Sequence, residues 1–281
     1  MQRSLISFDQ NKKIMKKVLI AGLAILTVSL IQAQQKQGVV VFARTSQMQI
    51  RIADMPGGME QQLPKSRTDK FELTFGNNQS LWKAAEQEND NDNISSSDGG
   101  MQIRMVVAGN DDVLFHNFET SKKTEKKEVM DKTFIIDDSI RSLKWKMTGE
   151  TKTILNMPCM KATTIRTSTR TMMNMDNGKM ERKEIQDTSN IVAWFTSSIP
   201  VSAGPAEFQG QLPGLILEMD VKDGTQTFKA ISISEKADLA VIKEPSGKKH
   251  YTPEEYKKER DKMMKEMEQN NQGGNRRIIM H

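Results

Sequence analysis

Between residues 204 and 218 the chain reads Gly204-Pro205-Ala206-Glu207-Phe208-Gln209-Gly210-Gln211-Leu212-Pro213-Gly214-Leu215-Ile216-Leu217-Glu218. Three glycines and two prolines stand in eleven residues, immediately before an apolar run. Glycine permits positive φ and close backbone approach, whereas proline fixes φ and removes a hydrogen-bond donor. Such a stretch specifies a backbone shape, and it carries neither a nucleophile nor a base. It is read as a shaped crossing that delivers residues 215–221 into a sheet and forms one wall or rim of a binding surface.

Around this crossing, short segments alternate apolar and polar residues with period two, the pattern of half-buried strands. Val39, Val41 and Ala43 form one arm, followed by Met48, Ile50 and Ile52 up to the break at Met55-Pro56-Gly57-Gly58. Phe71, Leu73 and Phe75 form another, which Gly76-Asn77-Asn78 turns into a short strand at Leu81-Trp82. Residues 86–100 are mostly Asn, Asp, Ser and Gly and read as a surface loop. Strands are expected at 103–107, 113–118, 134–136, 143–147 and 160–167. Asn177-Gly178, the preferred pair of a type I′ turn, centres a polar hairpin over 171–187. A strand at 191–195 ends before Pro200, and Lys222-Asp223-Gly224-Thr225 joins strands at 215–221 and 226–233. Val241-Ile242 is read as a last short strand.

The pattern changes at Thr252-Pro253-Glu254-Glu255, which supplies an N-cap, a proline at N1 and a glutamate at N3. A helix is expected from there to Asn270, with Tyr256, Met263, Met264 and Met267 as its apolar stripe and residues 272–281 as a disordered tail. The whole is mainly β and antiparallel, with one C-terminal helix. A sandwich, a closed barrel and a curved half-barrel all fit the spacing.

Met15-Lys16-Lys17 opens a basic region, residues 18–31 are apolar and Gln32-Ala33 resembles the end of a cleavage site. This is the pattern of a secretory signal peptide, and the apolar run is shorter than the roughly 20 residues of a membrane-spanning helix. Met15 reads as the true start, so residues 1–33 are a spurious extension plus leader, 34–245 an antiparallel β domain, and 246–281 the helix and tail. The single cysteine, Cys159, leaves no lipid-modifiable cysteine after the leader and no intramolecular disulfide. The expected location is periplasmic or secreted, with the chain soluble, not lipid-anchored and not membrane-spanning.

The formal charge of +5 comes mostly from the leader. Residues 1–33 hold five of the Lys and Arg residues and one Asp, leaving 36 basic against 35 acidic groups and a net charge of +1. Nucleic acid is therefore not an expected partner.

Hydrolase signatures of the Gly-x-Ser-x-Gly kind are absent, and no glycine-rich loop is followed by Lys-Ser/Thr. A Cys159–His116 pair is conceivable, although Cys159 reads better as a small buried residue. Asp111-Asp112 and Asp137-Asp138 read as solvated turns, and the charge run at 122–128 as a solvated loop. Twenty methionines stand out. Met157, Cys159, Met160, Met172 and Met175 offer soft sulfur donors of the type that selects Cu(I), so extracytoplasmic copper handling is the alternative to core filling. Trp82, Trp145 and Trp194 are the only tryptophans and serve as core anchors or pocket walls.

Three blocks carry a family resemblance. The first is 145–162, with Gly149-Glu150-Thr151-Lys152, Cys159 and Lys161-Ala162; the second is Val192-Ala193-Trp194-Phe195-Thr196 leading to Ile199-Pro200; the third is the crossing itself. In order and spacing they resemble the GLPGLI family of secreted Bacteroidetes proteins. The family motif is Gly-Leu-Pro-Gly-Leu-Ile, and here Gln211 stands between Gly210 and Leu212. The resemblance implies location and fold class and carries over no catalytic residues. In outline the chain is also similar to periplasmic lipoprotein carriers of the LolA type, which curve an antiparallel sheet around an apolar cavity. The function expected is non-enzymatic and without a cofactor: binding of an apolar small molecule or lipid, or of an envelope protein. Trp145, Trp194, Phe208, Leu212, Pro213, Gly214 and Leu215 are the expected pocket wall.

Overall fold

A computed structural model describes residues 36–47, 66–86, 112–129, 131–176 and 179–273. Its strands are β1 (Gly38–Gln47), β2 (Ser66–Gly76), β3 (Gln79–Ala84), β4 (Val113–Asn117), β5 (Lys122–Val129) and β6 (Lys132–Ser139). They continue with β7 (Lys146–Ile154), β8 (Met157–Asp176), β9 (Lys179–Thr196), β10 (Leu215–Val221), β11 (Gln226–Ser234) and β12 (His250–Tyr251), before helix α1 (Pro253–Gly273). All twelve strands form one open sheet in the order β12-β6-β5-β4-β3-β2-β1-β11-β10-β9-β8-β7. Every pairing is antiparallel except β12 on β6.

Local turn chemistry explains why consecutive strands pair. Asn77 and Asn78 take φ of 51° and 58° between β2 and β3, and Leu155 and Asn156 take 47° and 61° between β7 and β8. Left-handed backbone at both turn positions matches the twist of the flanking strands. Asp176 pairs with Lys179 across Asn177-Gly178, the register a two-residue hairpin loop requires. The β10–β11 turn runs through Lys222, Asp223 and Gly224 at φ of 58°, 51° and 83°.

The sheet curls. Lys123 on β5 and Arg166 on β8 stand eight places apart in the strand order, about 38 Å in a flat sheet at the usual strand spacing. Both line one cleft. The curled sheet is therefore the half-barrel among the expected forms, left open rather than closed. Its core joins Phe42, Leu73, Phe75, Ile191, Phe195 and Phe228 to Ile199, Phe208 and Leu212 of the crossing. Trp82 stacks on Phe71 at 5.1 Å and touches Phe42 and Phe228 at 5.5 and 6.1 Å, which makes it a core anchor. Each such buried side chain contributes about 1.5–3 kcal/mol.

A smaller cluster of Phe134, Ile136 and Tyr251 seats α1 through Tyr256 and Met263. The helix starts as its sequence dictates: the Thr252 N–H donates to the Glu255 carboxylate at 2.8 Å, and the Glu255 N–H donates to the Thr252 hydroxyl at 3.2 Å. The segment after residue 245 thus joins the sheet through β12 as well as supplying the helix.

Several expectations need correction. The charge run at 122–128 is strand β5, inside the sheet rather than a solvated loop. Thr124 is its buried residue, and its single hydroxyl proton is shared between the carboxylates of Glu244 at 2.7 Å and Asp137 at 3.1 Å, while Lys123 pairs with Asp138 and Lys127 with Glu125. Asp137 and Asp138 lie on β6, opposite Thr124 and Lys123, not in a turn. Residues 143–145 precede β7 rather than belonging to a strand, and Val241 closes a 3-10 turn, Leu239–Val241. The helix continues through residues 272–273, where the tail is expected to begin, and the expected hairpin arm at 48–52, the loop from 87 to 100, the strand at 103–107, the leader and residues 274–281 lie outside the described residues.

Candidate functional site

The crossing runs from the end of β9 over the inner face of the sheet to the start of β10. Pro205 leads a single 3-10 turn, Ala206–Phe208. The loop ties itself together. The Gly210 N–H donates to the Ser202 carbonyl at 2.7 Å, the Ser202 hydroxyl donates to the Leu212 carbonyl at 2.8 Å, and the Ile216 N–H donates to the Ala203 carbonyl at 3.0 Å. Two glycines are obligatory for packing. Gly210 has φ +70°, and a Cβ there would meet Ile140 Cγ2 at 2.8 Å; at Gly214 a Cβ would overlap the Thr196 carbonyl oxygen.

Two glutamines dock this loop. Gln209 is fully buried; its carboxamide accepts from the Ser80 hydroxyl on β3 and donates to the Ala206 carbonyl at 3.1 Å. Gln211 reaches the segment before β7: its carbonyl accepts the Leu143 N–H at 2.9 Å and the Trp145 indole N–H at 3.3 Å, and its amide donates to the Arg141 carbonyl at 2.8 Å.

A cleft of about 290 Å³ lies beside the crossing, with walls from His116, Lys123, Asp138, Arg166, Glu207 and Gln211. His116 on β4 is fully buried and stacks on Phe118 at 6.2 Å. Burial, reinforced by the charge of Lys123, pushes its pKa from 6.5 down to about 3, so the imidazole is neutral. Neither ring nitrogen has a hydrogen-bond partner among the described residues. Arg166 donates from Nη1 to Glu207 at 2.8 Å and lies 5.2 Å from the Phe208 ring centre, while its buried Nε is also without a partner among the described residues. Lys123 and Arg141 both meet Asp138 at 3.4 Å. Three cationic side chains in the lining thus face two carboxylates.

The residues expected to form a pocket wall are divided by the fold. Phe208 lines this cleft. Leu212, Gly214 and Leu215 are buried in the core and Pro213 is exposed. Trp145 is half-buried and held by Gln211. Trp194 lies under Lys152 and Lys161, at 4.3 and 5.8 Å, on the face of β9 opposite to Ala193 and Phe195, because successive strand residues point to opposite sides.

The sulfur residues are separated in the same way. Cys159 is buried and Met160, its neighbour along β8, points to the other face and is exposed. Met172 stands thirteen residues beyond Cys159 on one continuous strand, about 43 Å at the usual rise. The side chains of Met172 and Met175 lie outside the described residues. Cys159 Sγ is 3.5 Å from the Met157 carbonyl, and burial raises its pKa. It sits seven residues from Arg166 along β8, about 23 Å, so it is no partner for His116. His250 is at the surface, paired with Asp137 at 2.7 Å. Among the described residues no group of three or more His, Cys, Asp or Glu is placed to hold a metal ion.

In the sequence His116 stands out only as a partner for Cys159, and nothing marks Arg166 within its threonine-rich strand. The available signal was a histidine inside the apolar run Val113-Leu114-Phe115-His116.

Fold and cleft together define an open, curled β-sheet protein with a small cleft of mixed polar and apolar lining beside the crossing. A family model described as "Protein of unknown function (Porph_ging)" matches residues 145–218, the stretch that holds all three resemblance blocks. No curated protein matches the chain. Among solved structures the chain is similar to one described as "Structure of PNGF-II in C2 space group", at 15% identity and a TM-score of 0.44, covering 77% of this chain and 31% of that one. The chain therefore spans less than a third of that protein's length. No helix among the described residues is long and apolar enough to cross a membrane.

Proposed function

We propose that this chain is a non-enzymatic binding protein of the cell envelope, and that it binds its ligand in the cleft beside the crossing. The observation that carries this reading is that the cleft is lined by two side chains with buried polar atoms that have no partner among the described residues, both nitrogens of His116 and Nε of Arg166. A buried polar group without a partner costs about 1–3 kcal/mol, so a site that keeps two such side chains favours an occupant that pairs them. Binding fits better than catalysis because a histidine of pKa about 3 is too weak a base to take protons near neutrality. Asp138 and Glu207 are held in ion pairs.

The apolar ligand suggested by the sequence has less support. The inner face is filled by Phe208, Leu212 and Ile199 of the crossing. The more apolar cleft along β8 and β9, about 550 Å³, is shallow and edged by Lys144 and Lys146. An envelope location rests on the leader-like residues 15–33.

Native mass spectrometry of the protein purified from its own cells tests the proposal. The expected result is a small-molecule adduct that is released on denaturation and lost in the Arg166→Lys variant. Protein that emerges empty, and stays empty after incubation with cell extract, would sink it.

A further inference from the structure

On the reading that this cleft is a binding site, we infer that its ligand is a small carboxylate that also carries a hydroxyl group, as hydroxy acids and sugar acids do. The atoms without a partner among the described residues dictate the match. Arg166 Nε–H is a buried, charged donor, and such donors make their strongest hydrogen bonds to anionic oxygen. His116 is buried and neutral, so it offers one N–H donor and one bare nitrogen acceptor. A carboxylate satisfies the two donors and leaves the bare nitrogen unmet; an adjacent O–H supplies the missing donor.

Charge and size agree with this. Lys123, Arg141 and Arg166 exceed Asp138 and Glu207 by one positive charge, which a single carboxylate neutralises. A dianion would overshoot, and an apolar molecule would leave all three nitrogen atoms unpaired. The volume of about 290 Å³ falls at the small end of ligand pockets, roughly 300–1,000 Å³, which suits a molecule the size of a single sugar. Gln211 shapes the wall without serving the ligand, because both ends of its carboxamide are engaged by residues 141–145.

Titration calorimetry on the full chain with glucuronate, gluconate and lactate, and with glucose and glycerol as neutral controls, tests the inference. At least one acid is expected to bind about tenfold or more tightly than its neutral counterpart. His116→Phe fills the same space without polar atoms, and it should abolish acid binding while the melting midpoint holds or rises. Arg166→Lys keeps the charge but loses Nε–H, and it should weaken binding at unchanged fold. Equal binding of glucose and glucuronate would overturn the carboxylate and leave the binding site standing. Acid binding untouched by both variants would place the site elsewhere and overturn the inference. If no acid binds while the purified protein still carries an adduct, the ligand class is wrong; if there is no adduct either, the binding site itself falls.

Discussion

The Gln211 carboxamide oxygen accepts the indole N–H of Trp145 at 3.3 Å, across 66 residues of chain. The residue that departs from the Gly-Leu-Pro-Gly-Leu-Ile pattern is thus the latch between the crossing and the segment leading into β7. Its two further bonds, to the Leu143 N–H and the Arg141 carbonyl, make the latch three-pronged. Replacing Gln211 by Ala leaves the Leu143 N–H and the indole unpaired, and a loss of about 1–3 kcal/mol is expected. Urea unfolding followed by tryptophan fluorescence checks it; a midpoint equal to wild type would show that water replaces the latch without cost.

Gly214 is a packing glycine. A Cβ there runs into the Thr196 carbonyl oxygen and approaches Phe195 Cδ2 at 3.2 Å, at the point where Leu215 begins to pair with Thr196. Since the obstacle is backbone, it cannot rotate away. Gly214→Val is expected to cost about 3 kcal/mol or more, read as a lowered thermal midpoint, and Gly214→Ala nearly as much.

His116 couples stability to pH. Its folded pKa of about 3 lies below the ordinary 6.5, so between these values the unfolded chain binds a proton that the folded chain does not. Its contribution is therefore intact above pH 6.5 and is lost as pH falls, at about 1.4 kcal/mol per pH unit through that window. Chemical unfolding at a series of pH values should show this slope, and His116→Phe should flatten it. A variant whose slope matches wild type would mean that His116 titrates normally.

Thr252 is the N-cap of α1, and its hydroxyl accepts the Glu255 N–H at 3.2 Å. Thr252→Ala should cost about 1 kcal/mol and raise amide hydrogen exchange in the first turn of the helix while leaving β1–β11 protected. Unchanged exchange at Glu255 and Tyr256 would count against the cap.

Local chemistry was legible wherever neighbours in sequence decide the outcome. The Asp223-Gly224 turn, the Asn177-Gly178 hairpin and the Thr252–Glu255 capping box each depend on a few adjacent residues, and each was predicted at its place. Strand β5 was not, because a charged run reads as solvated until β4 and β6 flank it and Asp138 takes up Lys123. The residues expected to form a pocket wall are divided for a related reason: Trp194 points to the face of β9 opposite to that of the core-facing Ala193 and Phe195.

The sequence by itself determined the antiparallel β class, the helix start and the shaped character of residues 204–214, because backbone preference and period-two patterning are local. Only the tertiary structure decided that the sheet curls, that Arg166 comes to the same cleft as His116 from seven strand positions away, and that Gln211 latches the crossing to Trp145. Those contacts join residues 50 to 66 positions apart in the chain. They follow from how the open sheet curls over the crossing, which no window of sequence encodes.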